Sequence, residues 1–131
     1  MKVALLDSTI REGEQSPNVS FSIEQKIEIV KKLDEFGIEF IEIGHPVVSP
    51  DIREAVGKIS KLNTNAQKII HGRATRSDID DALSFNVPWI GIFFGTSDLS
   101  LKYKFGMKKM EALDRIVEAV LYAKDKGVKL R

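Results

Sequence analysis

Short apolar runs alternate with longer stretches of helical periodicity along all 131 residues. Val3-Ala4-Leu5-Leu6 sits in a predicted strand, Lys2–Asp7. Ile23, Ile27, Val30, Leu33 and Phe36 then recur at helical spacing, with Ser22 and Gln25 in a capping-box arrangement and Gly37 as the stop. Phe40–Ile43 reads as a second strand, running into Gly44-His45-Pro46. Ser49-Pro50 opens a second helix whose buried stripe is Ile52, Val56, Ile59 and Leu62.

The unit repeats. Lys68–His71 is a predicted strand and Gly72–Arg76 a loop, after which Ser77 caps a helix carrying Ile79, Ala82, Leu83 and Phe85. Trp89–Phe94 is the most continuous apolar run, as expected of a strand covered on both faces. A longer loop follows, Gly95–Gly106, with a helical turn near Leu99–Lys102. The last helix spans about Lys108–Lys126, stopped by Gly127, and Val128–Leu130 begins another strand. Four strand–helix units and a fifth strand imply an α/β domain with a parallel sheet and right-handed crossovers. The two architectures that satisfy this are an open doubly wound sheet and about half of a (β/α)₈ barrel. Arg11, Glu12, Gln15, Glu42, His45, His71, Arg73, Thr96 and Ser97 all fall at or just past the carboxyl ends of strands, where both architectures bind ligands.

Composition narrows the partners. The net charge of +1 gives no electrostatic case for nucleic acid or a membrane surface, and Lys104, Lys108 and Lys109 are flanked by Asp98, Glu111 and Asp114, as on a solvated face. No cysteine is present, so disulfide and thiolate chemistry are excluded. The amino-terminal apolar run is too short for a signal-peptide core or a bilayer span, so a soluble, cytoplasmic chain is expected. Neither a Walker loop nor a Gly-x-Gly-x-x-Gly turn is present, which counts against a nucleotide site.

The densest chemistry is Asp7-Ser8-Thr9-Ile10-Arg11-Glu12-Gly13-Glu14-Gln15, where the first strand runs out. A guanidinium beside a hard-cation ligand suits a reaction in which a carbonyl oxygen or enolate must be held while it gains charge. This stretch resembles the signature of the DRE-TIM metallolyase superfamily, whose Claisen-condensing branch contains the isopropylmalate, citramalate and homocitrate synthases. Arg-Glu in place of Arg-Asp leans toward homocitrate synthase. Further along, Ile41–Pro46, Val48–Ile52, His71-Gly72-Arg73, Ile92–Leu99 and Ala123–Arg131 resemble the archaeal type of that enzyme.

The resemblance implies a fold, a reaction and a set of roles. The fold would be the amino-terminal half of a TIM-barrel catalytic domain over residues 1–131. The reaction would be acyl transfer from acetyl-CoA to 2-oxoglutarate, the first step of lysine synthesis through 2-aminoadipate, with isopropylmalate or citramalate synthesis as the sister specificities. Arg11 would be catalytic and touch substrate, Gln15, His71 and Arg131 would bind substrate, and Glu12 would ligate a divalent metal (Mg, Mn or Zn). Glu42 and Thr96 are candidate pocket residues; Glu42 at a strand end suits a water, a basic side chain or a catalytic neighbour, or else an ion pair of purely structural value. Glu14 fits loop or helix-end hydrogen bonds, His45 fits packing, and Arg73 fits either the pocket or a pair with Asp78.

Two departures limit what carries over. The family's later His-x-His metal pair is absent, since His45 and His71 are the two histidines here. Gly91 stands where many homocitrate synthases have an aspartate associated with lysine inhibition, so condensation is implied and lysine inhibition is not. The isolated chain is therefore expected to be inactive, with Arg131, its final residue, displaced. A half-barrel would also leave the inner faces of Leu5, Ile41, Ile70 and Ile92 uncovered, which predicts self-association or docking to a complementary chain, the alternative being that this non-catalytic assembly is the chain's whole role.

Overall fold

The computed structural model describes residues 3–131. Nine elements alternate: β1 (Leu6–Asp7), α1 (Ile23–Phe36), β2 (Phe40–Gly44), α2 (Pro50–Ser60), β3 (Gln67–Arg73), α3 (Arg76–Leu83), β4 (Trp89–Phe93), α4 (Lys109–Asp125) and β5 (Lys129–Leu130). All strand pairs are parallel, and the sheet order is β1-β2-β3-β4-β5. That order decides between the two candidate architectures. A doubly wound sheet reverses its order at a switch point, whereas uninterrupted sequential order winds every crossover helix onto one face, as in a (β/α) barrel. Among the described residues no helix is long and apolar enough to cross a membrane.

The helix boundaries follow their caps. Ser22 accepts from the Gln25 amide while Gln25 reaches back, and Gly37 closes α1 in the left-handed region. Ser49 caps α2 with Pro50 in its first turn. At α3 the cap is Thr75, two residues before the expected Ser77: Thr75 has extended backbone, accepts from the Asp78 amide and shares its hydroxyl with Ser77. The helix ends at Leu83 and leaves Phe85 outside it. β3 runs two residues past His71, because Gly72 and Arg73 pair with Ile92 and Phe93. The turn expected near Leu99–Lys102 is a π-helical turn over Ser100–Phe105. The predicted start of the first strand, Lys2, lies outside the described residues.

The core lies between the sheet and its helices. Ile41, Ile43, Ile70 and Ile90 pack with Val30, Val56, Ile59, Ile79, Ala82 and Ala119. Strand parity therefore corrects one expectation: Ile41 and Ile70 are fully buried, and Ile92 packs partly buried against the same cluster, so these side chains face the helices and not the barrel interior. Leu5, one residue out of step with the Leu6–Phe40 pair, shares their parity and remains half exposed. The opposite face carries Phe40, Glu42, Ile69, His71, Trp89, Gly91 and Phe93, with the Phe40 and Trp89 rings edge to face at 5.3 Å. The interior face thus mixes Glu42 and His71 with aromatic rings and Ile69, while the helix layer is aliphatic.

A bulge in β2 sets up the site. The register shifts between Glu42 and Gly44, and Gly44 takes φ +135°. A Cβ there would stand 2.9 Å from Val56 Cγ2, so only glycine lets α2 close on the strand end.

Candidate functional site

The carboxyl ends of β1, β2, β3 and β5 converge on one side chain. Glu42 has no exposed side-chain surface. Its Oε2 accepts from Ser8 Oγ at 2.5 Å and from Arg11 Nε at 2.6 Å. Its Oε1 accepts from Arg131 Nη1, and His71 Nδ1 stands 3.9 Å away. Burial pushes the carboxyl up, but the Ser8 and Arg11 hydrogen bonds and the nearby positive charge outweigh it and hold Glu42 below the usual carboxylate range. Two guanidiniums are thereby drawn to one rim by an ionised carboxylate.

Local structure explains how Arg11 gets there. Ser8 O accepts from the amides of Arg11, Glu12 and Gly13, which winds the chain into a tight turn, and Ile10 plugs the core at 2% exposure. A 3₁₀ turn, Gly13–Gln15, follows. Glu12 points outward, 61% exposed, and pairs with Arg11 Nη1. Gln15 lines a cleft of about 260 Å³ with Arg11, His45, Ile43 and Val48. Glu14 accepts from the Phe21 amide at 3.1 Å and from Lys26 Nζ at 2.7 Å.

Arg131 corrects an expectation. It is not displaced: its amide donates to Ile90 O at 3.0 Å and its carbonyl accepts from the Ile92 amide at 2.9 Å, so the ladder to β4 carries it to Glu42. Thr96 lies exposed on the loop after β4 and is not among the hydrogen-bond partners of Glu42. Ser8, a member of the signature with no role expected of it, is a direct partner of Glu42. The signal in the sequence was its place two residues past Leu6, on the same strand face; that this face meets Glu42 follows only from the Leu6–Phe40 register.

The histidines form a second layer. His71 stacks on Phe93 at 4.6 Å between centroids, and His45 meets both rings edge-on at 6.0 and 5.7 Å. His45 Nε2 lies 3.0 Å from Asp78 Oδ2. Asp78, almost wholly buried, also accepts from Arg73 Nε at 2.9 Å, Arg73 Nη2 at 2.7 Å, the Arg73 amide at 3.0 Å and Thr75 Oγ1 at 3.1 Å. Burial opposes ionisation of Asp78, but these donors hold its carboxyl far below the usual range. Arg73 is thus paired with Asp78. Burial chiefly, helped by Arg11, pushes His71 down to about 4 against the pull of Glu42, so its imidazole is neutral at pH 7.

Glu12 was the expected metal ligand. Among the described residues no three His, Cys, Asp or Glu side chains are grouped to hold a metal ion. One exposed carboxylate does not satisfy a divalent cation, so these residues do not fit a complete metal site.

The HMGL-like family model matches residues 2–131. The homocitrate synthase of Pyrococcus horikoshii is 46% identical over 127 residues, which is 97% of this chain and 35% of that protein. Those of Sulfurisphaera tokodaii and Saccharolobus islandicus are 47% identical over 135 residues, all of this chain and 29% of theirs. The chain thus spans about a third of the length of these relatives. Among solved structures, the HMG-CoA lyase of Bacillus subtilis superposes with a TM-score of 0.78 at 20% identity, covering 99% of this chain and 45% of that one. The lyase of Brucella melitensis gives 0.75 at 16% identity over 98% of this chain and 47% of that one. The fold is that of a partial (β/α) barrel.

The histidine geometry makes a pH prediction. The folded pKa of His71 lies below the unfolded value near 6.5, so the unfolded chain binds more protons between about 6.5 and about 4. This group's contribution is complete above that window and is lost as pH falls through it. Imidazole NMR, simple in a chain with two histidines, should find His71 neutral at pH 6 with a midpoint near 4. A midpoint at 6.5 or above would contradict the burial account.

Proposed function

The chain belongs to the HMGL-like family, and from that premise we propose that it carries the Arg11 half of the catalytic centre of a homocitrate synthase-type acyltransferase. The single observation that carries the choice of substrate is the second guanidinium. Arg11 and Arg131 share the buried Glu42, and Arg131 keeps over half of its side chain exposed. A monocarboxylic 2-oxo acid brings one carboxylate beside its ketone oxygen, and its apolar side chain has no use for a further cation. A dicarboxylic one does: Arg131 clasps the distal carboxylate and Arg11 faces the ketone oxygen. This favours 2-oxoglutarate over the substrates of isopropylmalate and citramalate synthesis.

The chemistry follows from charge development. A base outside these residues removes a methyl proton of acetyl-CoA, and the resulting carbon attacks the ketone carbon of 2-oxoglutarate. The ketone oxygen becomes an alkoxide and is protonated to a tertiary alcohol; water then cleaves the thioester and releases CoA, leaving homocitrate. Arg11 acts on the alkoxide. Its Nε edge is committed to Glu42, so the guanidinium is already oriented and no reorganisation is needed as the charge grows. Neutral His71 offers the ligand a hydrogen-bonding group without adding another cation. Were a divalent ion bound, Glu12 would supply it one carboxylate and the ion would polarise the ketone, but these residues alone do not complete its coordination. The product would enter lysine synthesis through 2-aminoadipate, in the cytoplasm.

A second reading concerns assembly. Exposed Phe36 on α1 and exposed Met110, Leu113, Val117 and Leu121 along α4 flank the two ends of the sheet. Those flanks favour association of the chain with itself or with complementary barrel units. Sedimentation of the chain above monomer mass is the expected result, and a monodisperse monomer at all concentrations would rule the association out.

The reaction itself is tested in a chimera. Residues 1–131 replace the matching part of the Sulfurisphaera tokodaii relative. CoA release should depend on 2-oxoglutarate, and Arg11→Lys should lower turnover about 100-fold by losing the planar fork. Equal activity with pyruvate or 2-oxoisovalerate would contradict the reading of Arg131.

A further inference from the structure

Lys26 stands at a core position. It lies three residues after Ile23 and four before Val30, on the face of α1 that meets the sheet, and its side chain is only 7% exposed. A buried ammonium needs a counter-charge, and Glu14 supplies it at 2.7 Å. The other Glu14 oxygen accepts from the Phe21 amide at 3.1 Å, just ahead of α1. Among the described residues, the Glu14 side chain makes the polar contacts that join the 3₁₀ turn, Gly13–Gln15, to α1. That turn adjoins Arg11 and Glu12, and the ion pair lines the same 260 Å³ cleft as Arg11 and Gln15.

We propose that Lys26 is a positioning residue for the signature turn, its ion pair with Glu14 latching Gly13–Gln15 to α1 and so fixing where Arg11, Glu12 and Gln15 face. The physical need is clear. The segment from Ser8 to Ser22 is a loop, and its remaining backbone bonds run within itself: Arg11, Glu12 and Gly13 donate to Ser8 O, Gln15 to Glu12 O, Ser16 to Gly13 O and Val19 to Ser16 O. Such bonds define the shape of the turn but not its bearing on the barrel. Glu42 anchors one end through Arg11, and the latch anchors the other.

The consequence for catalysis rests on the acyl-transfer reading. The test does not, because it reads the turn directly in the 131-residue chain by amide hydrogen exchange. Lys26→Met should speed exchange at Gln15, Ser16 and Phe21 about tenfold or more, while Ile41, Ile70 and Ile90 stay within about twofold of wild type. Lys26→Arg, which keeps the charge, should restore the protection. A Lys26→Met chain with an unchanged turn overturns the proposal, and so does equal acceleration across the sheet, which would make Lys26 a core residue only. Should Lys26→Met not fold, Glu14→Gln keeps an acceptor for Phe21 but removes the charge. It should speed Gln15 and Ser16 and spare Phe21; no change at Gln15 and Ser16 overturns the latch. Failure of the chimera with intact exchange behaviour would fault the reaction and leave the latch standing.

Discussion

A carboxylate with no exposed surface costs several kcal/mol unless charge and hydrogen bonds surround it, and the whole candidate site is arranged around one such group. Glu42 is reached by Ser8 and Arg11 from the chain that follows β1, and by Arg131 from the end of β5. These partners lie up to 89 residues from Glu42 in sequence, so Glu42 is satisfied only when the sheet is wound in order from β1 to β5. Fold and chemistry are therefore one constraint. The interaction that makes the buried charge tolerable is the same one that directs two guanidiniums at a common rim.

Much of the scaffold was legible in the chain because its signals are local. Ser22 with Gln25, Ser49 with Pro50, and Gly37 mark helix ends through contacts within a few residues, and the structure reproduces them. Where two local signals competed, the nearer hydroxyl to the strand end won, and Thr75 displaced Ser77 as the cap of α3. The signature at Arg11-Glu12 directly follows the first apolar run, so its place just past the carboxyl end of β1 was also readable locally.

The rest depended on contacts that no short window contains. Hydrophobicity alone suggested that Ile41 and Ile70 line the interior, yet the dense apolar layer is the one between sheet and helices, and parity puts Glu42 and His71 inside. The Asp78 cluster draws on Arg73, Thr75 and His45, which come from two different strand ends. Lys26 was hidden in the opposite way: its position in the apolar stripe of α1 was readable, but a charge there has meaning only once Glu14 is seen against it. Arg131 was expected to be loose as a terminal residue, and its backbone bonds to Ile90 and Ile92 hold it.

The central claim is that Glu42 couples the two ends of the sheet through Arg131, and a double-mutant cycle measures that coupling. Urea unfolding of wild type, Glu42→Gln, Arg131→Gln and the double variant should give an interaction energy of about 1.5 kcal/mol or more, since each single change leaves the other partner without its counterpart. Additive effects, with the interaction energy indistinguishable from zero, would contradict the account.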